Sequence, residues 1–400
     1  SSGGDGGGGG GAAGAHNDSK SIERLFGGDD SALVAGDVNH GVTVVRKYGL
    51  LVMLAEYLKG RTATVNNYCV VCDRPHVFAN GNMLKPSVCS RELCCWSFQQ
   101  LGVGSESADD IATSAELVDL LVTFAVAAAK SSRAATIFEP YPNVFDPANP
   151  KRHLFDPANK DFAHLRTVLE KMPSVERMTQ AADFGDMKSR MEKAHPHAYP
   201  LMQWIIQSNR AHIVKLDKDR LCKSMVTTHQ YLMLSASPEK EARFQQLKKK
   251  HKSCFAFHGS SVENWHSILR GGLRNASGTK LQVNGAAHGK GIYLSPQASV
   301  SFGYSRMNYG GSAPNTRNYG AGGNRFLQSD NVGCICIVEV IDHDIKKSGN
   351  IWVQPHEDHV VTRMFFCYPS SQIGSANQQY TNGQGALLGE IQAACKHYNL

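Results

Sequence analysis

No run of apolar residues in this chain is long enough to cross a membrane as a helix. The most apolar stretch, Leu117 to Ala129, stops short and carries Asp119, which fits a helix buried in a core. Basic clusters are equally scarce. A net charge of +7 over 400 residues is mildly basic, and Lys248-Lys249-Lys250 with Lys252 is the one dense run. Cations suit the C-terminal end of a helix, so that run reads as a solvated helix end and implies no direct nucleic-acid binding. The glycine fingerprint of a dinucleotide-binding βαβ unit is missing, which excludes hydride transfer on that scaffold. No apolar leader opens the chain, and 11 cysteines cannot all pair. Both features favour a reducing compartment, so the expected location is intracellular, in the cytoplasm or the nucleus.

What is present divides into a tail and two domains. Residues 1–38 open on a Gly/Ala tract that cannot bury enough apolar surface to offset its ordering entropy, and they are expected to be disordered. Residues 39–150 read as a helical, cysteine-rich domain. Val44, Val45, Tyr48, Leu51, Val52, Leu54, Ala55 and Leu58 recur at helical spacing and predict an amphipathic helix from Thr43 to Leu58, ended by Gly60. Cys69-x2-Cys72 and Cys89-x4-Cys94 follow, separated by turn residues. Two thiolate pairs around a small loop suit tetrahedral Zn²⁺, so Cys69, Cys72, Cys89 and Cys94 are the candidate ligands of a structural zinc. Ordinary buried cysteines in a small subdomain are the other reading. A second helix is predicted from Ser107 to Lys130. The proline-rich stretch Ile137 to Pro157, with Phe-Asp-Pro-Ala-Asn twice over, reads as an ordered connector.

Residues 165–400 mix helical and strand patterns. Phe162 to Met172, Met187 to Glu192, Pro200 to Ile206 and Glu239 to Lys249 read as helices. Ala211 to Val214, Cys254 to Phe257, Gly291 to Leu294, Cys334 to Val340, Ile351 to Val353 and Val360 to Tyr368 read as short strands. Ser261 reads as the cap of a helix stopped by Gly271-Gly272. Ser295-Pro296 reads as the start of another that carries Ser301 and Tyr304. Met307 to Asn324 is expected to be a flexible loop, and Leu387 to Tyr398 a closing helix or extended segment. The fold class is α+β, a split antiparallel β-sandwich with flanking helices.

The chemistry concentrates between Phe255 and Tyr304. His258-Gly259-Ser260 ends one strand, Gly289-Lys290-Gly291-Ile292-Tyr293 leads into the next, and Ser301 and Tyr304 sit on the helix after it. Such a set suits a flat, cationic pyridinium amide. Two tyrosine faces can sandwich the ring and favour its charge. A glycine lets the backbone reach the carboxamide edge. A serine hydroxyl adds one bond, and a histidine can hold a ribose hydroxyl.

This wording resembles the catalytic domain of the poly(ADP-ribose) polymerase family, with its diphtheria-toxin-like ADP-ribosyltransferase fold. Phe-Ala-Phe-His-Gly-Ser and Gly-Lys-Gly-Ile-Tyr-Leu-Ser-Pro are closest to the branch usually numbered six and eight. The text around Cys69 to Lys85 and Phe138 to Tyr141 resembles that branch too, so the similarity runs from about residue 45 to the end. The resemblance implies NAD as a substrate to be split. It implies that His258 holds a ribose, Gly259 reads the carboxamide, Tyr293 and Tyr304 flank the ring, and Ser301 bonds the amide. Arg274 falls near the adenosine end, and Ser260 and Ser267 at positions that touch the nucleotide.

One position departs from the polymerising members. Their glutamate, before an apolar-apolar-x-Tyr run, falls here on Met364, ahead of Phe365-Phe366-Cys367-Tyr368. A thioether can neither take a proton nor hold a cationic sugar. His258, Tyr293 and Met364 are therefore the expected catalytic trio. The implied activity is mono-ADP-ribosylation of acidic or cysteine side chains on protein acceptors, including the chain itself. A catalytically inactive NAD- or ADP-ribose-binding module, recruiting partners through the cysteine-rich domain, remains the alternative.

Overall fold

A computed structural model of the chain describes residues 50–65, 68–74, 94, 115–146, 148–209, 211–236, 238–282, 287–305, 332–369 and 389–394. By contacts the chain divides into two units: residues 1–76 with 82–101, and residues 102–400 with 77–81.

The described part of the first unit is helix α1 (Leu50–Thr64) and the cysteine turn after it. The predicted helix begins outside the described residues, and Gly60 does not end it. A helical glycine costs only about 1 kcal/mol against alanine. Here side chains fasten the last turn: Thr62 Oγ1 donates to the Leu58 carbonyl at 2.7 Å, and Arg61 pairs with Asp73 at 2.7 Å. The stripe expected to be buried is not: Leu51, Leu54 and Leu58 are exposed.

The second unit opens with α2 (Ala115–Lys130), whose residues 118–129 are all buried, as expected of a helix apolar all round. The predicted Ser107–Lys130 helix is described from Ala115 onward, and by contacts it groups with the second unit. A short α3 (Ala134–Ile137) follows. The Phe-Asp-Pro-Ala-Asn repeat makes matching turns, Asp146 and Asp156 each accepting from the backbone two residues on at 2.9 Å. The first turn joins β1 (Val144–Asp146) to β2 (Asn149–Phe155), so the connector contains a hairpin. Helices α4 (Phe162–Lys171), α5 (Val175–Thr179), α6 (Phe184–Ala194) and α7 (Ala198–Gln207) come next. Asp161, Ser174 and Asp183 cap α4, α5 and α6 through their side chains.

The rest alternates strands with helices: β3 (His212–Lys215), β4 (Gln230–Ser235), α8 (Pro238–Lys248), β5 (Ser253–Ser260), α9 (Trp265–Gly271), β6 (Ile292–Leu294), α10 (Ala298–Tyr304), β7 (Val332–Ile341), β8 (Lys346–Ser348), β9 (Ile351–Gln354) and β10 (Val360–Pro369). One sheet has five strands in the order β3-β4-β10-β7-β5, and the other three in the order β6-β9-β8. Every pairing is antiparallel. Phe257 and Ser295 join the sheets by reciprocal backbone bonds of 2.7 and 2.9 Å. Phe124 of α2 stacks on Trp265, Trp265 on Phe365 and Phe365 on Tyr231, which ties helices to the large sheet.

Two predicted caps do not form. Ser261 makes no side-chain cap bond, and its helix enters through a 3₁₀ turn, Val262–Asn264. Ser295 is held to β5 by its backbone, so α10 starts only at Ala298, and the Ser295 hydroxyl accepts from Gln297 N–H instead. The stretch Met307 to Asn324 lies outside the described residues. Within the predicted closing segment, residues 389–394 are helical.

Candidate active site

A cavity of about 270 Å³ opens where β5 and β6 meet, between α9, α10 and the segment around α3. It gathers eight of the residues singled out from sequence: His258, Gly259, Ser260, Ser267, Arg274, Tyr293, Ser301 and Tyr304 all line it. They come from β5, α9, the loop after α9, β6 and α10.

His258 is fixed by its neighbour across the join. Its Nδ1 donates to the Tyr293 carbonyl at 2.9 Å. Burial pushes the imidazole pKa below its ordinary value, and the carbonyl works in the opposite direction. The neutral ring then carries its proton on Nδ1 and a free lone pair on Nε2. Tyr293 is itself tethered: its hydroxyl donates to the Gly289 carbonyl at 2.8 Å and accepts from His288 N–H at 3.0 Å. Tyr304, by contrast, is 48% exposed, so one ring is a fixed wall and the other stands at the mouth.

Gly259 is where α10 touches β5. A Cβ placed there would lie 1.8 Å from the Ser301 carbonyl oxygen, so only glycine allows the helix to approach. Gly291 has the same reason, since its Cβ would lie 2.6 Å from a Val353 methyl. Gly291 N–H donates to the Ser277 hydroxyl at 3.0 Å. Ser301 is almost fully buried beside Gly259. Ser260 Oγ accepts from Asn264 Nδ2 at 3.0 Å, and Ser267 Oγ donates to the Asn264 carbonyl at 3.0 Å.

Met364 stands apart. Cα register aligns Phe257, Ile337 and Met364 in one row, and His258, Cys336 and Phe365 in the next. Side chains alternate faces along a strand, so Met364 and His258 project to opposite sides of the sheet. Met364 is 0% exposed in an apolar cluster with Phe257, Phe302 and Ile337, and it does not line the cavity. The upstream carboxylates are engaged elsewhere. Glu357 accepts from Asn275 N–H at 2.8 Å, and Asp358 pairs with Arg243 at 2.8 Å.

Sequence reasoning missed Asn264, Ser277, Gln282, Thr136 and Glu139, which also line the cavity. Asn264 lies four residues past Ser260 and could have been found from helical spacing. Thr136 and Glu139 arrive from far upstream, held there because Arg133 donates to the Leu281 carbonyl at 3.0 Å and pairs with buried Glu263 at 3.7 Å. Lys160 pairs with the Glu139 carboxylate.

Of the candidate zinc ligands, Cys69, Cys72 and Cys94 come together, their sulfur atoms within 4.8 Å of one another. Cys89 lies outside the described residues.

Two antiparallel sheets joined at one bridge, flanking helices and a cleft over the join define an α+β domain of the ADP-ribosyltransferase kind. Residues 226–361 match the family described as the poly(ADP-ribose) polymerase catalytic domain, and residues 110–206 match the ARTD15 N-terminal domain. Residues 226–361 thus carry the catalytic domain of the poly(ADP-ribose) polymerase family. The chain is 49% identical over 348 residues to protein mono-ADP-ribosyltransferase PARP8 of Homo sapiens, covering 83% of this chain and 41% of that protein. The Mus musculus counterpart matches at 49% over 349 residues, with the same shares. Protein mono-ADP-ribosyltransferase PARP16 of Homo sapiens is 28% identical over 199 residues, 47% of this chain and 53% of that protein. The chain thus spans about two fifths of the length of its PARP8 relatives. Among the described residues, no helix is long and apolar enough to cross a membrane.

Proposed function

We propose that the chain is an NAD-dependent mono-ADP-ribosyltransferase that breaks the nicotinamide–ribose bond and transfers ADP-ribose to a protein side chain. The observation that carries this reading is the bond from His258 Nδ1 to the Tyr293 carbonyl, set beside Gly259 and Ser301 in one cavity. It leaves Nε2 of a neutral imidazole to accept from a ribose hydroxyl. Tyr293 and Tyr304 offer ring faces to the pyridinium. The Gly259 backbone and the Ser301 hydroxyl suit its carboxamide. Arg274 lies on the same cavity and suits the phosphate or adenine end.

In the reaction the C1′–N1 bond breaks and its electron pair goes to the ring nitrogen, which releases neutral nicotinamide. Positive charge builds on the ribose, and the acceptor nucleophile then bonds to C1′. Glycoside cleavage commonly uses a protein carboxylate near such a charge. Met364 supplies none. The acceptor must therefore bring its own negative charge, which favours carboxylates and thiolates on protein acceptors, including this chain. Without a group to orient an ADP-ribose hydroxyl, transfer stops at one unit per site.

The test is mass spectrometry of the full chain after incubation with NAD. The expected result is single ADP-ribose additions on acidic or cysteine residues, with His258→Ala slowing addition about hundredfold, the scale of one preorganised hydrogen-bonding group. The buried thioether favours a second reading, a binding module that holds NAD without cleaving it. Recovery of intact NAD from a complex that shows no transfer selects that second reading.

A further inference from the structure

Three sulfur atoms converge in the first unit on a turn built to aim them. Cys69 N–H donates to the Arg74 carbonyl at 2.9 Å, and Asp73 N–H donates to the Cys69 carbonyl at 2.8 Å, which closes the loop between Cys69 and Arg74. Asp73, directly after Cys72, has φ of 58°, a left-handed conformation that turns the chain back and leaves the two thiols facing one point. Cys94 brings a third sulfur from 22 residues further on, and all three atoms lie within 4.8 Å of one another. Tetrahedral Zn²⁺ with bonds of about 2.3 Å sets its sulfurs about 3.8 Å apart, so the cluster needs only a small contraction to hold the metal.

The turn is also clamped to the helix before it. Arg61 of α1 reaches Asp73 with its guanidinium at 2.7 Å and lies over the Tyr68 ring at 3.6 Å from the centroid. That places a permanent cation close to the turn, where a zinc thiolate centre would carry excess negative charge. Cys69 and Cys94 are buried and Cys72 is half-buried, so the position is shielded without being closed off. A disulfide would use two of these sulfurs and leave the third without a role.

We infer that Cys69, Cys72 and Cys94 hold a structural zinc ion, with Arg61 bracing the metal turn through Asp73. The metal serves to order the first unit, where the described residues bury few apolar side chains, and takes no part in chemistry at the cavity of the second unit. The inference does not depend on the proposed transferase activity, because its readouts are metal content and thiol protection.

Metal analysis of the full chain should find about one zinc per molecule. Replacing the zinc with cobalt should give the strong visible absorption of tetrahedral cobalt thiolate. Cys69→Ser, Cys72→Ser and Cys94→Ser should each lose most of the metal, whereas Cys254→Ser, in β5, should keep it. Should the ligand variants fold poorly, the wild-type chain decides: its cluster thiols should resist alkylation until a chelator is added. Arg61→Ala should speed zinc transfer to a competing chelator by about tenfold, the usual scale for a residue supporting a metal site. Less than about half an equivalent of zinc, with the three thiols alkylated equally fast with and without chelator, would overturn the site. A Cys69–Cys72 disulfide in the native chain would do the same. Unchanged zinc release from Arg61→Ala would overturn the brace.

Discussion

Gly259 answers two demands at one Cα. On the proposed function the backbone there comes close to a bound carboxamide, and α10 must come close to β5. The second demand stands on the geometry alone, since an added methyl would lie 1.8 Å from a main-chain oxygen. Gly259→Ala should therefore cost on the order of 1–3 kcal/mol of stability, the usual penalty for overpacking, and weaken NAD binding together with it. Thermal denaturation and calorimetry on the same sample check both; loss of binding with stability intact would mean that the wall moves freely. Met364 makes a sharper case. Read in sequence, it is a catalytic carboxylate replaced by a thioether, and restoring Glu there looks like a way to gain chain growth. Read in register, it lies on the opposite face from His258 and is sealed in an apolar cluster. Met364→Glu should cost several kcal/mol, because a carboxylate would be buried with no partner. Met364→Leu, which conserves volume, should cost less than about 1.5 kcal/mol and leave transfer unchanged. If Met364→Glu folds as well as the wild type and builds ADP-ribose chains, the side chain reaches the cavity after all. The motif fixes which residue stands at the position; only the pleat of the sheet says which way it points.

Two ionic networks, one half-buried and one buried, hold elements together. Glu116, in the first turn of α2, accepts from His229 Nδ1 at 2.8 Å and from the Tyr231 hydroxyl at 2.7 Å, and it pairs with Lys215. It thereby fastens α2 to β3 and β4. Burial works to raise its pKa, but the bonds from His229, Lys215 and Tyr231 outweigh burial and hold it at about 2. A carboxyl whose folded pKa lies below its unfolded value near 4.5 contributes stability above that value. The contribution fades as pH falls from about 4.5 towards 2, and because solvent screens this half-buried pair it amounts to about 1–2 kcal/mol over that window. Urea unfolding of wild type and Glu116→Gln should show a gap at pH 7 that closes near pH 2 to 3; a gap independent of pH would reject the ionic account. Arg363 of β10 makes the second network, meeting Glu241 of α8 at 2.9 Å with two nitrogens and Glu339 of β7 at 2.9 Å. Arg363→Met should lose about 3–5 kcal/mol, because Glu241 stays buried without its cation and Glu339 keeps only Lys248 as a cation, at 2.8 Å. Neither network was legible in the sequence, since its members lie up to 122 residues apart. Elements with a strong local signal were legible. Phe162–Lys171 shows its 3.6-residue period and an Asp cap, and Val360–Pro369 reads as a β run. The inner strand β4 was not, because Gln230-Tyr-Leu-Met-Leu-Ser is buried along most of its length and lacks the polar-apolar alternation that marks a half-exposed strand. Most of the cavity wall was legible because it falls in one short stretch of chain, whereas Thr136 and Glu139 reach it only through Arg133.

The division of contacts near residue 101 carries its own consequence for the whole chain. All the described apolar clusters draw on residues from Ala115 onward, and all the described cavity-lining residues fall between Thr136 and Ile351. Among the described residues, both the core and the cleft therefore belong to the second unit. A chain beginning at Gly102 keeps every one of these residues, including Arg133 with its bonds to Leu281 and Glu263, which seat the upstream wall of the cleft. A chain beginning instead at about residue 150, where composition alone suggests a boundary, loses α2, Arg133, Thr136 and Glu139. It also removes one of the two rings stacked on Trp265 of α9, since Phe124 goes with α2. Calorimetric titration with NAD separates the two truncations. The version from Gly102 should bind within about twofold of the full chain, and the shorter version should lose at least about tenfold or fail to fold, since its apolar face is uncovered. A tenfold loss in the longer truncation would show that residues before 102 build the NAD site. Equal binding by both would show that the upstream wall contributes nothing to it.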